Sequence, residues 1–411
     1  MNAFTALGFA ALLLAAPASV DGQATSGPSP RLAANTSLPP EADDAWESIA
    51  EEWSLSVQSE GIVGSSLAMV REGVLTSHGM LGMADLEARR PVDDETIYHW
   101  ASITKTFTAI SIMQLRDRGL LSLDDPVVDY VPELRGVHNP FGSMDAITIR
   151  HLLSHSAGFR GSTWPWAGSE PWQPHEPTEW SQLVAMMPYT RIHFEPGSRY
   201  SYSNPGIIFL GRVIEAVSGD VFEAYVDKNV FRPLGMRRAY FDVTPWGLRE
   251  HRSNHYVVRE GVPEPGGIDF NTGITVSNGG LNAPVRDMAR YLAFLLGTPM
   301  EDMDADAVLS RSSLEEMWEP VVPIGAGPLG HGSMGLSFFL HDKRGERVVG
   351  HTGTQRTFYS FFYIDPGTRT GVIAAFNTGA GDETGPDTNA LRMRLSARVV
   401  DEFFPALRAN R

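Results

Sequence analysis

The chain has 411 residues, of which 42% are hydrophobic and 20% charged, with 40 Gly and 28 Pro. That length allows one enlarged globular domain, and the composition excludes a disordered, collagenous or polytopic chain. A formal charge of -16 repels phosphate backbones and anionic lipid, so nucleic acid is not expected as a partner, and with no cysteine there is no disulfide, thiolate nucleophile or thiolate zinc site.

Residues Phe4 to Ala18 carry the run Gly8-Phe9-Ala10-Ala11-Leu12-Leu13-Leu14-Ala15, too short to span a bilayer. Ala16-Pro17-Ala18 and Gly22-Gln23-Ala24 offer small-x-small cleavage patterns, although no Lys or Arg precedes the run. The reading is a signal peptide over 1-24 and export to the periplasm or medium. From 25 to 42 the chain is rich in Ser, Thr, Asn and Pro, as in a disordered tether. No later segment reaches the roughly 18 apolar residues of a spanning helix, so no membrane span is expected.

A single folded domain is expected over 43-405. Asp43 and Asp44 can cap a helix carrying Trp46, Ile49, Trp53 and Leu55. Ser65 to Val70 and Val74 to Leu81 form a hairpin around Arg71-Glu72-Gly73. A helix from Ser102 carries Ile103, Phe107, Ile110 and Met113 to Gly119. The region 102-284 reads as an inserted, mainly helical region. A helix over Arg286 to Leu296, strands at Arg347 to Gly350, Phe358 to Ile364 and Gly371 to Phe376, and a closing helix from Asn389 to Phe404 then complete a sheet region made of 43-101 and 285-405. The expected fold class is α+β, an antiparallel sheet flanked by helices.

A hydroxyl needs a base beside it and fixed donors for the oxyanion. If Ser102 opens its helix, its N–H points outward at the positive end, and Lys105 stands three residues on along the same face. The lysine serves as base only if desolvation or positive neighbours lower its pKa. The chain has three lysines, Lys105, Lys228 and Lys343, and only Lys105 has a serine three residues before it. Taken alone, Ser102 is also an ordinary helix cap and Lys105 a solvated charge. Two further segments accompany them: Tyr202-Ser203-Asn204 and His351-Thr352-Gly353.

Ser-x-x-Lys, Tyr-x-Asn and Lys/His-Thr-Gly in that order resemble class C β-lactamases and the related penicillin-recognising carboxypeptidases, aminopeptidases and esterases. Leu152-Leu153-Ser154-His155-Ser156-Ala157-Gly158 and Gly279-Gly280-Leu281 with Asp287-Met288-Ala289-Arg290 resemble further segments of that family. The likeness runs from about Trp53 to Phe404. It implies the β-lactamase/transpeptidase-like fold and a serine hydrolase forming an acyl-enzyme on Ser102. It implies proton transfer by Lys105 and Tyr202, the phenol being partly ionised near two cations. Asn204 would orient the substrate amide and the Lys105 head group. Ser102 N–H and Thr354 N–H would form the oxyanion pair, with Thr352 beside them and Gly353 giving room for close approach. His351 stands where many β-lactamases carry lysine, which favours a D-amino-acid peptidase or carboxylesterase, with β-lactam hydrolysis slow at best. A true class C-type β-lactamase and an inactive penicillin-binding or sensor domain stay as alternatives. No cofactor and no metal are implied. The substrate is a small molecule or peptide, and oligomeric state stays open.

His151 with His155, and His251 with His255, have the i, i+4 spacing of two ligands on one helical face. His155 is read more simply as a loop anchor. Trp164, Trp166, Trp172 and Trp180 either wall an acyl pocket or pack a loop, and Arg356 reads as a rim charge. No serine has the Gly-x-Ser-x-Gly frame of an α/β-hydrolase.

Overall fold

The computed structural model describes residues 38–161, 177–269 and 271–409. Its strands, in chain order, are β1 (Gly64–Arg71), β2 (Val74–Asp85), β3 (Arg90–Pro91), β4 (Ile97–His99), β5 (Tyr240–Phe241), β6 (Tyr256–Arg259), β7 (Val262–Pro265) and β8 (Leu281–Pro284). The C-terminal part adds β9 (Val322–Gly327), β10 (Gly330–Met334), β11 (Phe339–Lys343), β12 (Glu346–Gln355), β13 (Phe358–Asp365), β14 (Thr370–Phe376) and β15 (Thr378–Ala380).

Nine of these form the central sheet in the order β3-β2-β1-β14-β13-β12-β11-β10-β9. Every pairing within it is antiparallel. The hairpin β1–β2 turns through Glu72 and Gly73, both with positive φ. The strands β1, β13 and β14 are apolar on both faces because helices cover both. Leu67 and Met69, Phe361 and Tyr363, and Val372 and Ala374 pack with Trp46, Ile49 and Trp53 and with Leu391 and Phe403 of the terminal helices. Their alternates Ala68 and Val70, Phe362 and Ile364, and Ile373 and Ala375 pack with Phe107, Ile110 and Leu292 on the opposite side. A period-2 pattern with apolar residues in both phases is what a sheet between two helical layers requires.

The first helix runs Pro40–Ser59, not from Asp43. Proline is preorganised for the first helical position and Ala42 is buried, so the chain turns helical before the Asp pair, and Asp43 lies in the first turn. The end of the expected tether is therefore helical. The 102-284 region carries short strands as well as helices: β8 pairs with β4 and β5, and β15-β6-β7 form a third sheet. Strands this short carry too little alternation to be read from sequence. The Gly-rich hairpin β9–β10 lacks the β-branched pattern for the same reason. No helix among the described residues is long and apolar enough to cross a membrane. The segment 1-24 lies outside the described residues.

Candidate active site

Ser102 sits in a tight turn between β4 and a long buried helix, Thr104–Asp117. Residues Ala101–Ile103 form one turn of 3-10 helix, and Ala101 takes φ 49, left-handed for a residue with a Cβ. Such backbone costs about 1–3 kcal/mol and persists only where its surroundings hold it. Here they do so from β8. Trp100 N–H donates to Leu281 O at 2.8 Å and its indole N–H to Ala283 O at 2.8 Å. Thr104 Oγ1 donates to Ala101 O at 2.6 Å and accepts from Leu281 N–H at 3.0 Å. The Ser102 N–H lies in the opening turn, where a helix supplies no acceptor. Ser102 itself is half-buried.

One turn on, Lys105 is fully buried. Its Nζ donates to Ser102 Oγ at 2.9 Å and to Asn278 O at 2.8 Å. Burial pushes its pKa well below the lysine range, and no carboxylate among the described residues offsets that. The expected Asn204 contact is replaced by the Asn278 carbonyl. Asn204, at the first position of the helix Asn204–Ser218, has an Oδ1 with no protein partner, as does Asn278 Nδ2. Asn278 went unnoticed in the sequence because its backbone oxygen makes the contact; its only signal was its place before Gly279-Gly280.

Tyr202 closes the cluster, its ring centroid 5.0 Å from Lys105 Nζ. Burial pushes its phenol upward, while a hydrogen bond with Ser102 and the Arg392 charge act the other way with less effect. The phenol is thus held protonated, against the expected partial ionisation, because burial outweighs the charges beside it. His155 stacks on the Tyr202 ring at 4.5 Å and 28°. Its Nδ1 accepts Ser203 N–H at 3.1 Å, so it anchors both Tyr202 and the helix start that carries Asn204.

His351, Thr352, Gly353 and Thr354 lie on β12. One edge of this stretch pairs with β13, from His351↔Phe362 to Thr354↔Tyr359. On the other edge β11 stops at Phe339↔Gly350, leaving later residues open toward the Ser102 turn. A Cβ on Gly353 would lie 2.2 Å from Trp100 O and 2.4 Å from Ser360 Oγ, so only glycine allows the strand this close. Behind it the buried Arg392 guanidinium donates to Gly353 O at 3.3 Å and Ser360 O at 3.5 Å. His351 is buried, and desolvation lowers its pKa to about 3. Its Nδ1 bonds Thr352 O at 2.7 Å, so the neutral ring carries its proton there and leaves Nε2 as an unpartnered acceptor.

The other marked residues lie apart. The helix Ile149–Leu153 ends before His155, which has φ 54, so His151 and His155 share no helical face. His151 instead closes a capping box with Thr148. His251 ends a 3-10 segment and His255 precedes β6, so the second pair shares none either. Among the described residues no three His, Cys, Asp or Glu are grouped to hold a metal ion. Trp180 packs on Phe209 and under Arg212; Trp164, Trp166 and Trp172 lie outside the described residues. Arg356 is exposed at the β12–β13 turn with φ 54.

Hydroxyl, desolvated amine and phenol around one turn, with a glycine-gated strand edge opposite, define a serine hydrolase. The Beta-lactamase family matches residues 44–396, and the chain belongs to that family. It is 28% identical to Esterase EstB of Burkholderia gladioli over 374 residues, covering 84% of this chain and 93% of the esterase. It is 25% identical to Protein flp of Staphylococcus aureus (strain MW2) over 321 residues, 78% of this chain but 61% of that protein's length. Among solved structures, the octameric penicillin-binding protein homologue from Pyrococcus abyssi is similar with TM-score 0.70 and 29% identity, covering 87% of this chain and 77% of that one.

Proposed function

We propose that this chain is an exported hydrolase of carboxylic esters that acts through an acyl-enzyme on Ser102. The observation that carries the reading is the buried Lys105 amine, 2.9 Å from Ser102 Oγ with no carboxylate among the described residues to keep it charged. Ser102 Oγ attacks the carbonyl carbon while its proton passes to the Lys105 amine. The Tyr202 phenol gives its proton to the leaving oxygen and regains one from the Lys105 ammonium. Water then attacks the acyl carbon by the same path in reverse, releasing the acid and restoring Ser102. The N–H groups of Ser102 and Thr354 receive the oxyanion. Asn204, its Oδ1 unpartnered, and Thr352 orient the substrate.

Preference for an ester with an uncharged leaving group rests on His351. A neutral imidazole binds a carboxylate less strongly than an ammonium does, and a D-amino-acid peptide or a penicillin brings one next to its scissile bond. Likeness to EstB over most of its length supports this reading. A D-amino-acid peptidase is the second reading, because the His351-Thr352-Gly353 segment also resembles the peptidase members of the family. Export rests on the apolar segment Phe4 to Ala18, and a single catalytic unit over 43-405 on the antiparallel sheet that joins both ends of that range.

The test is a fluorophosphonate probe followed by substrate profiling. The expected result is one adduct on Ser102, absent in Ser102→Ala, with turnover of p-nitrophenyl esters far above that of D-alanyl peptides or a chromogenic cephalosporin. An adduct retained in Ser102→Ala overturns the nucleophile. Cephalosporin turnover above that of the esters restores the β-lactamase reading, and labelling without turnover of any of the three points to a sensor domain.

A further inference from the structure

His99 is the last residue of β4, three positions before Ser102, and is buried. It lies opposite Asn282 of β8, and its two ring nitrogens bridge two different elements. Nδ1 is 2.9 Å from Asn282 Oδ1, and Nε2 is 3.0 Å from the side-chain amide of Gln355. Gln355 is the last residue of β12, next to Thr354, and pairs with Phe358 across the turn to β13.

The hydrogens can be assigned. Asn282 Nδ2 donates to Asp242 O and to Gly280 O, each at 3.2 Å, so the face it shows His99 is its oxygen. His99 Nδ1 therefore carries the proton. Burial, with the Arg252 charge adding to it, lowers the pKa of the ring to about 3, so a second proton is disfavoured. Nε2 is then a lone pair, and Gln355 must turn its amide nitrogen toward it, an exchange of two atoms of similar size. The amide has little room elsewhere: a Cβ on Gly279 would come within 2.6 Å of it, so Gly279 is the residue that lets Gln355 in. Gly279 directly follows Asn278, whose carbonyl holds Lys105.

The Gln355 amide is thus wedged between the strand that leads into Ser102 and the segment that anchors Lys105, while its own backbone continues from Thr354. We propose that His99 and Gln355 are positioning residues, clamping the open edge of β12 to the Ser102 turn so that the Thr354 and Ser102 N–H groups converge on one oxyanion. The proposal rests on Ser102 as nucleophile, and it assigns to the reaction two residues outside the three motifs. A clamp of this kind acts on the transition state, because the oxyanion forms only there, whereas ester binding in the ground state does not call on it.

The experiment compares full-length wild type with Gln355→Glu, which keeps the shape but removes the donor, and with Gln355→Met and His99→Gln. Each is measured for fluorophosphonate labelling, for kcat and KM on p-nitrophenyl acetate, and for melting temperature. The expected result is a drop in kcat of about 10–100-fold with KM within about threefold, as for a weakened oxyanion donor. The two Gln355 variants should fall alike, and the double variant His99→Gln/Gln355→Met should fall no further than the worse single one. Wild-type kcat in Gln355→Glu, or a loss that appears only in KM or only as a lower melting temperature, overturns the clamp. If wild type itself is not labelled on Ser102, the failure belongs to the nucleophile assignment instead.

Discussion

Lys105 Nζ lies 2.8 Å from the backbone oxygen of Asn278, a neutral acceptor where a stabilising lysine would have a carboxylate. A buried amine so placed is held toward its neutral form at the expense of stability. In the unfolded chain the same amine is protonated up to about pH 10.4, so at neutral pH unfolding takes up a proton and is favoured by it. Lys105→Met should therefore lower kcat by about 10²–10⁴-fold and yet raise the melting temperature by about 2–4 °C. Lys105→Arg, which cannot lose its proton, should lose activity equally and fold less stably. Calorimetry with ester turnover on the same samples checks both, and a Met variant that melts below wild type would mean the amine is charged and paired.

Gly353→Ala probes the approach of β12 to the Ser102 turn. Its Cβ would meet Trp100 O at 2.2 Å, a backbone atom that β8 holds through Trp100 N–H and the indole, so the strand must give way. A kcat loss of about 10²-fold and a stability cost of about 1–3 kcal/mol are expected, with Lys105 and Ser102 left in place. Because that pair survives, fluorophosphonate should still label Ser102, only more slowly. Unchanged kcat in a folded Gly353→Ala protein would remove Thr354 from the oxyanion pair.

Ser102 and Lys105 were legible because three residues is nearly one helical turn, so their proximity is local. Tyr202 and the His351 segment were legible only through the order of the motifs, since no periodicity in 411 residues says which strand edge faces which helix. What stayed hidden has particular causes. Asn278 contributes a carbonyl, which every residue has. His155 has helical spacing from His151, but its left-handed φ takes it off the helix and onto Tyr202. Arg392 lies on the closing helix and reads as a surface charge until the helix packs behind β12. The expected ionised phenol failed because it counted charges near Tyr202 and not the burial that outweighs them. The sheet strands with apolar residues in both phases were readable; β5, β8 and β9 were not, being too short or too rich in Gly and Pro.

Acid should unfold this protein through its histidines. Burial lowers His99 and His351 to about 3 and His78, His255 and His341 to about 4, from the ordinary 6.5, and pushes His155 down as well. As pH falls below about 6.5 the unfolded chain binds protons that the folded chain refuses, so stability is lost from there down to about 4 for three of these rings and to about 3 for His99 and His351. Asp242 and Asp287 act in the opposite sense. Burial raises both to about 6, so the folded state takes their protons first and gains stability between about 6 and the ordinary 3.8. The histidines outnumber these two carboxyls, and each contributes up to about 1.36 kcal/mol per pH unit, so the net slope should be positive. Urea unfolding at pH 7.5, 6.5, 5.5 and 4.5 should show a midpoint that holds between the first two and then falls. His351→Asn should flatten the acid limb without moving the neutral midpoint by more than about 1 kcal/mol. A midpoint level down to pH 4.5 would mean that these rings are solvated or already charged, and with that the neutral His351 on which the ester preference rests would be lost.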